Sequence, residues 1–301
     1  MQFTKMHGSG NDYIYIYTDT PDFDPKVKNE ETIRRLSDRH FGIGGDGVIF
    51  INKVTDGSAA FEMEMYNSDG SYGEMCGNGI RCVAKYVYDN GLTDVTKGLK
   101  ILSGGSVKEL DLTVEDGRVT SVTVDMGLPE IAAAQVPCLL TSNKKVALPA
   151  TAEKKDACVE AEIEAAGWTW KTTAVSMGNP HTVVFLKSRN ELDHFEIEKI
   201  GPLFEHHAAY PERVNTEYVF VEDRNNVYMR VWERGAGETL ACGTGCCAVA
   251  TACVLSDLTD DEVTIHALGG DIICRLDEAT GRVYMTGPAV TVFCGEISEG
   301  I

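Results

Sequence analysis

The 301-residue chain lacks a run of about 18 apolar residues, so no segment of it reads as a transmembrane helix. It lacks basic excess: 27 Lys and Arg stand against 46 Asp and Glu, a formal net charge of −19. That counts against a binder of nucleic acid, which needs clustered cations, and reads instead as a solubility feature. The first residues, Met1 to Asp19, show no basic leader before an apolar stretch, so no secretory signal is expected. The cytoplasm is the expected location. There is no C-x-x-C, no H-E-x-x-H and no second Cys/His pair at zinc spacing, so no metal is expected. The 30 glycines follow no triplet period, which excludes a collagen-like chain. With 43% hydrophobic and 24% charged residues the composition is that of a globular protein of one large domain or two ordinary ones.

What the chain does have is a repeat. Met65–Ala84 written above Val231–Ala250 sets Cys76 on Cys242, Gly77 on Gly243, Gly79 on Gly245 and Ala84 on Ala250, an offset of 166. Gly10-Asn11 pairs with Gly178-Asn179 at 168, Gly104-Gly105 with Gly269-Gly270 at 165, and Gly117-Arg118-Val119 with Gly281-Arg282-Val283 at 164. Anchors in one order at nearly constant offset indicate two copies of one unit. The first copy is expected over 1–126, with 289–301 returning to it, and the second over 127–288.

Alternation of apolar and polar residues predicts strands at Leu110–Val114 and Val119–Met126 around a turn, at Ile272–Leu276 and Val283–Met285, and along Val227, Met229 and Val231. Helices rich in Ala, Val and Cys are predicted over Gly79–Tyr88 and Gly245–Leu255. The expected fold class is α+β: two pseudo-symmetric domains, each a mostly antiparallel sheet or barrel around a central helix, with a ligand cleft between the copies. Residues 138–172 have no counterpart in the first copy. Their polar stretches, Thr141–Lys145 and Glu153–Asp156, suggest a surface insertion, with a short exposed helix over Glu160–Ala166.

The ten cysteines, in a chain with no expected secretory leader, are expected to be mostly reduced. Six of them, Cys82, Cys246, Cys247, Cys253, Cys274 and Cys294, read as small buried hydrophobes. Cys76 and Cys242 differ, because both copies place them where a turn feeds a helix. A helix start offers unpaired N–H groups that lower a thiol's pKa and hold a carboxylate. Two thiols related by a pseudo-twofold axis suggest acid/base groups on opposite faces of one carbon, one removing a proton and the other delivering one.

Asn67-Ser-Asp-Gly-Ser-Tyr-Gly-Glu-Met-Cys76-Gly-Asn-Gly-Ile-Arg81 resembles the signature of the diaminopimelate epimerases. So do His7-Gly-Ser-Gly-Asn-Asp-Tyr13, Met177-Gly-Asn-Pro-His181, Pro211-Glu-Arg-Val-Asn215, Glu233-Arg-Gly-Ala-Gly-Glu238 and Ala241-Cys-Gly-Thr-Gly245. The resemblance covers nearly the whole chain outside 138–172. It implies a cofactor-independent enzyme interconverting LL- and meso-2,6-diaminoheptanedioate on the route to lysine and peptidoglycan. By that resemblance Cys76 and Cys242 are the acid/base thiols. Gly77, Asn78, Gly243 and Thr244 hold the reacting carboxylate. Asn11, Asn67, Asn179, Asn215 and Arg234 fix the distal end of the substrate, with Glu233 near its ammonium. His181 and Glu233 adjust the thiols' protonation. The chemistry agrees: an amino-acid head needs an anion and a cation partner, and Glu233-Arg234 supplies both. Where some members carry a substrate-facing Gln after the Asp of Gly42-Ile-Gly-Gly-Asp-Gly47, this chain has Gly47, to which no side-chain role passes.

Other readings compete. Gly42–Gly47 also fits G-x-G-x-x-G, but it precedes the strand-like Val48–Ile51 instead of a helix, so dinucleotide binding is rejected. Proline racemase-like proteins carry His after the first Cys-Gly, where this chain has Asn78. Phenazine-biosynthesis-type isomerases lack the two thiols. A metal or redox module would use Cys242 and Cys246 at i, i+4; metal analysis separates that reading from an epimerase. The sequence leaves a homodimer open.

Overall fold

The computed structural model describes residues 1–73, 75–142, 145–148, 150 and 154–297. The chain divides into two compact units, Met1–Val124 with Thr286–Ile301, and Asp125–Met285.

The first unit contains β1 (Gln2–Gly8), β2 (Asn11–Tyr17), α1 (Glu30–Ser37), β3 (Gly47–Lys53), β4 (Phe61–Asn67), β5 (Tyr72–Gly73), α2 (Gly77–Asp89), β6 (Leu99–Ser103) and β7 (Ser106–Glu115). β8 (Arg118–Gly127) follows and runs on past Val124. In the second unit lie β9 (Lys145–Val146), β10 (Lys155–Asp156), β11 (Ala161–Ala165), β12 (Trp168–Ser176), β13 (Pro180–Phe185), α3 (Arg189–Asp193), α4 (Ile197–Glu205), β14 (Asn215–Val221), β15 (Asn226–Glu233), β16 (Gly237–Thr239), α5 (Gly243–Leu255), β17 (Glu262–Ala267) and β18 (Gly270–Leu276). β19 (Val283–Pro288) starts in the second unit, and β20 (Val290–Glu296) belongs to the first.

The pairing pattern repeats. In the first unit β20/β1 and β1/β2 are antiparallel, β2/β3 parallel, β3/β4 antiparallel, β4/β6 parallel and β6/β7 antiparallel. In the second the same sequence of directions runs through β11/β12, β12/β13, β13/β14, β14/β15, β15/β17 and β17/β18. Each parallel step needs a crossover. α1 supplies the first in one unit, α3 and α4 in the other; α2 and α5 supply the second. The fold is therefore α+β, two similar units each with its own central helix.

The central helices explain why the strands read as they do. α2 packs on β1, β2, β6 and β7, and α5 on β12, β13, β14, β17 and β18. α5 is apolar all round and buried from Gly245 to Cys253, as a helix enclosed on every side must be. β3 is covered on both faces, so Val48–Ile51 is a continuous buried apolar run. Val48 and Phe50 pack with Ile33 and Leu36 of α1, while the next side chain along, Ile49, meets Gly79 of α2.

The expected strand pairs at 110–126 and 272–285 and the strand through Val227–Val231 are present as β7–β8, β18–β19 and β15. Both central helices start two residues earlier than predicted, at Gly77 and Gly243, because each cysteine is itself the N-cap. Residues 138–172 are a correction. No helix forms over Glu160–Ala166; β11 occupies it, with Ala161, Ile163 and Ala165 buried and Glu162 and Glu164 exposed. The period is two, so the apolar set faces a core that also holds Cys138, Cys158, Phe204 and Tyr218. Cys138, Cys158 and the buried face of β11 are thus part of the second unit's core, while Thr141, Lys145, Lys154 and Asp156 are exposed as expected of a surface segment. Asn143, Lys144 and Glu153 of its polar stretches lie outside the described residues. Cys294 is a second correction. It is exposed, because β20 is the edge strand beyond β1, whereas the other five cysteines expected inside are buried.

Candidate active site

In the first unit Cys76 is the N-cap of α2. Its sulfur accepts the Gly79 N–H at 3.2 Å, and its thiol donates to Asn11 Oδ1 at 3.1 Å. Asn11 opens β2, and its amide is held by both ends: Nδ2 donates to Asp46 Oδ2 at 2.7 Å, which turns Oδ1 toward the thiol. Arg39 in turn pairs with Asp46 at 2.9 Å and with Asp12 at 2.7 Å. At Asp12 burial would raise the pKa, but hydrogen bonds from Arg39 and Lys5 outweigh it and hold the carboxyl below its usual range. Gly77 and the buried Asn78 form the first turn of α2. Asn67, at the end of β4, donates to Ser71 Oγ at 3.0 Å. Asp46 and Arg39 carry this network and were not singled out from the sequence; a buried-end Asn needs such partners, but they come from a different loop.

Gly47 pairs with Asn67 across β3/β4. A Cβ there would stand 2.0 Å from the Tyr66 carbonyl oxygen. The position at which the resemblance raised the question of a side chain is therefore closed to one in this backbone. Gly47→Gln is expected to cost about 3 kcal/mol of stability, an overpacking penalty, because backbone must move. Thermal unfolding checks it; an unchanged Tm would show that β4 yields freely.

In the second unit Cys242 is the N-cap of α5, buried, with its sulfur 3.4 Å from Thr244 Oγ1. Thr244 and Gly243 form the helix's first turn. Glu233, at the end of β15, accepts a hydrogen bond from Thr239. Burial raises the Glu233 pKa, while bonds from Thr239 and the Cys242 thiol pull the other way. Asn215 Oδ1 accepts the Arg234 backbone N–H at 2.7 Å, and Arg234 Nη1 donates to the Glu212 carbonyl at 2.9 Å. His181 is fully buried at the start of β13. Its Nε2 lies 3.0 Å from Asn179 Oδ1, and its Nδ1 lies 2.7 Å from Glu217 Oε1. Glu217 was missed in the sequence. It sits two residues beyond Asn215 on the same strand, so period two places both on one face. A lone Glu in Asn215–Val221 was the available signal.

The expectation of a lowered thiol pKa is overturned at Cys242. Burial pushes the thiol well above its ordinary value, and Glu233 and Glu217 add to the effect. The magnitudes decide this. A helix end is worth about 0.3–1 kcal/mol at an exposed site, less than one pKa unit, whereas full burial moves a pKa by up to about 3–5 units. In the helices themselves, Cys82 is pushed up to about 11 and Cys253 to about 12, as buried structural thiols are.

The fold is shared with solved structures of low sequence identity. It superposes on a phenazine biosynthesis protein of the PhzF family from Bacillus anthracis with a TM-score of 0.67 at 13% identity, covering 99% of both chains. It also superposes on a probable proline racemase from Agrobacterium radiobacter with a TM-score of 0.64 at 13% identity, covering 99% of this chain and 93% of the other. The family pattern described as Diaminopimelate epimerase matches residues 3–132 and 173–292. The Diaminopimelate epimerase of Acetivibrio thermocellus is 47% identical over 298 residues, covering 99% of this chain and 98% of the relative. The chain belongs to the diaminopimelate epimerase family.

Proposed function

We propose that this protein is a cofactor-independent epimerase interconverting LL- and meso-2,6-diaminoheptanedioate, in the biosynthesis of lysine and peptidoglycan precursors. The observation that carries the reading is the repeated N-cap: each unit of one topology caps its central helix with a cysteine. One thiolate takes the α-proton, and the substrate's electron pair moves into the carboxylate. The other thiol then gives its proton to the opposite face. Each turnover thus leaves the two sulfurs with exchanged protonation, ready for the reverse direction.

Gly77, Asn78, Gly243 and Thr244 present first-turn N–H groups to the reacting carboxylate and to the charge that grows on it. Asn11, Asn67, Asn179, Asn215 and Arg234 bind the distal head, and Glu233 meets its ammonium. His181 and Glu233 tune the protonation of the thiols. The shared topology and the Cys76/Cys242 offset support descent from one duplicated unit. Among the described residues no helix is long and apolar enough to cross a membrane, and with the acidic charge this supports a cytoplasmic enzyme that binds a small molecule, not nucleic acid. Exposed Val290, Val292 and Phe293 on β20 support a homodimer.

Incubation with LL-diaminopimelate after dialysis against a chelator, without pyridoxal phosphate, is expected to yield the meso form on chiral analysis. Activity that returns only with added metal or pyridoxal phosphate overturns the reading.

A further inference from the structure

Glu217 has no part in the reading above, yet it is the most enclosed carboxylate near either thiol. The β13/β14 register sets Asn215 beside His181 and Glu217 beside Val183. The side chains of His181 and Glu217 are both completely shielded from solvent. Oε1 of Glu217 lies 2.7 Å from His181 Nδ1. Oε2 is buried and has no hydrogen-bond partner among the described residues. A Cβ at Gly245 would lie 2.6 Å from Oε1, so the carboxylate rests against the turn of α5 that Cys242 caps. A side chain at Gly245 would push the carboxylate aside.

A buried anion is costly unless partners compensate it. Here the His181 ring supplies the compensating contact, and the carboxylate lies against the start of α5, whose dipole favours negative charge. Such an arrangement beside a reactive thiol is a functional one more often than an ordinary core carboxylate would be. We propose that Glu217 is a positioning residue for the epimerisation: its carboxylate holds His181 with a ring proton on Nδ1, and its charge disfavours a second anion at Cys242, which therefore waits between turnovers as a thiol. The inference rests on the reading of Cys242 as an acid/base group. The direction of the Cys242 shift agrees with it, burial coming first and the Glu233 and Glu217 charges next. In the second unit the titratable groups facing this cluster are His181 from β13, Glu217 from β14, Glu233 from β15 and Cys242 itself.

Glu217→Gln removes the charge and keeps the shape. Iodoacetamide labelling of Cys242, followed by mass spectrometry across a pH series, is expected to reach its midpoint about one pH unit lower than in the parent. The Cys76 midpoint is expected to stay in place. kcat is expected to fall about tenfold or more, with KM changed by less than about threefold. Nitrogen-15 NMR of the parent protein needs no variant and is expected to find a proton on His181 Nδ1. A bare Nδ1, or a Glu217→Gln protein with unchanged kcat and an unchanged Cys242 midpoint, overturns the inference alone. A parent protein that turns over no diaminopimelate overturns the epimerase reading, and the inference falls with it.

Discussion

Cys76→Ala and Cys242→Ala are each expected to lower kcat for LL-diaminopimelate epimerisation by about 10³–10⁴-fold, the upper range for loss of a general acid or base. The reason is stereochemical. Inversion needs a proton removed from one face and another delivered to the opposite face, so a single remaining thiol serves only half of the event. The loss should appear in kcat more than in KM, because neither sulfur is needed to hold the substrate heads. Folding should survive. Cys76 is half-buried, and alanine forfeits hydrogen bonds of the sulfur, those with Gly79 and Asn11 among them. At Cys242 the volume lost is one sulfur, together with its contact to Thr244 Oγ1. Circular dichroism with steady-state kinetics checks both variants. A folded variant that retains a tenth of the parent's kcat would remove that cysteine from the mechanism.

In heavy water, product formed early is expected to carry deuterium at the inverted carbon almost completely, while recovered substrate stays nearly unlabelled. Each thiol holds one exchangeable hydrogen. The thiol that waits for the carbanion has exchanged with solvent before substrate arrives. The hydrogen taken by the opposite thiolate is on the wrong face to reach product. Raised burial of the Cys242 thiol gives this experiment its direction. A thiol whose pKa is lifted is the protonated, donating partner over neutral pH and becomes thiolate only as pH climbs through the raised value. Epimerisation in both directions should therefore hold toward alkaline pH and fall only as pH climbs through that raised value, because the two directions share one equilibrium constant and each needs one sulfur protonated. Early product that retains the substrate's own hydrogen would show one base carrying it across, and two thiols would not be needed.

Much of the architecture was legible because it is written at short range. The hairpin at Leu110–Met126 shows its period of two and its Asp-Gly turn within 17 residues. The two Cys-Gly turns show themselves twice, and duplication turned a weak local signal into a strong one. The segment 160–166 carries its strand signal locally too: Ala161, Ile163 and Ala165 alternate with acids at period two, and that period outweighs the charge of Glu162 and Glu164 that suggests an exposed helix. Asp46 and Arg39 were not legible, and at Glu217 the strand position was but the partner was not. Asp46 reaches Asn11 from 35 positions away, and Glu217 reaches His181 from 36. Nothing in the residues between them sets that meeting.

Sequence alone determined the α+β class, a cysteine at the turn before each central helix and the family to which the chain belongs, since motif spacing and local periodicity are properties of neighbouring residues. Tertiary structure alone decided the protonation of Cys242, the closure of the Gly47 position and the Glu217–His181 contact. Each depends on what strands distant in sequence bring within a few ångströms: the carboxylates of β14 and β15, the Tyr66 carbonyl of β4, and the burial they create. A helix end favours a thiolate through a weak field that the sequence displays. Desolvation is stronger, and it exists only once the chain has packed.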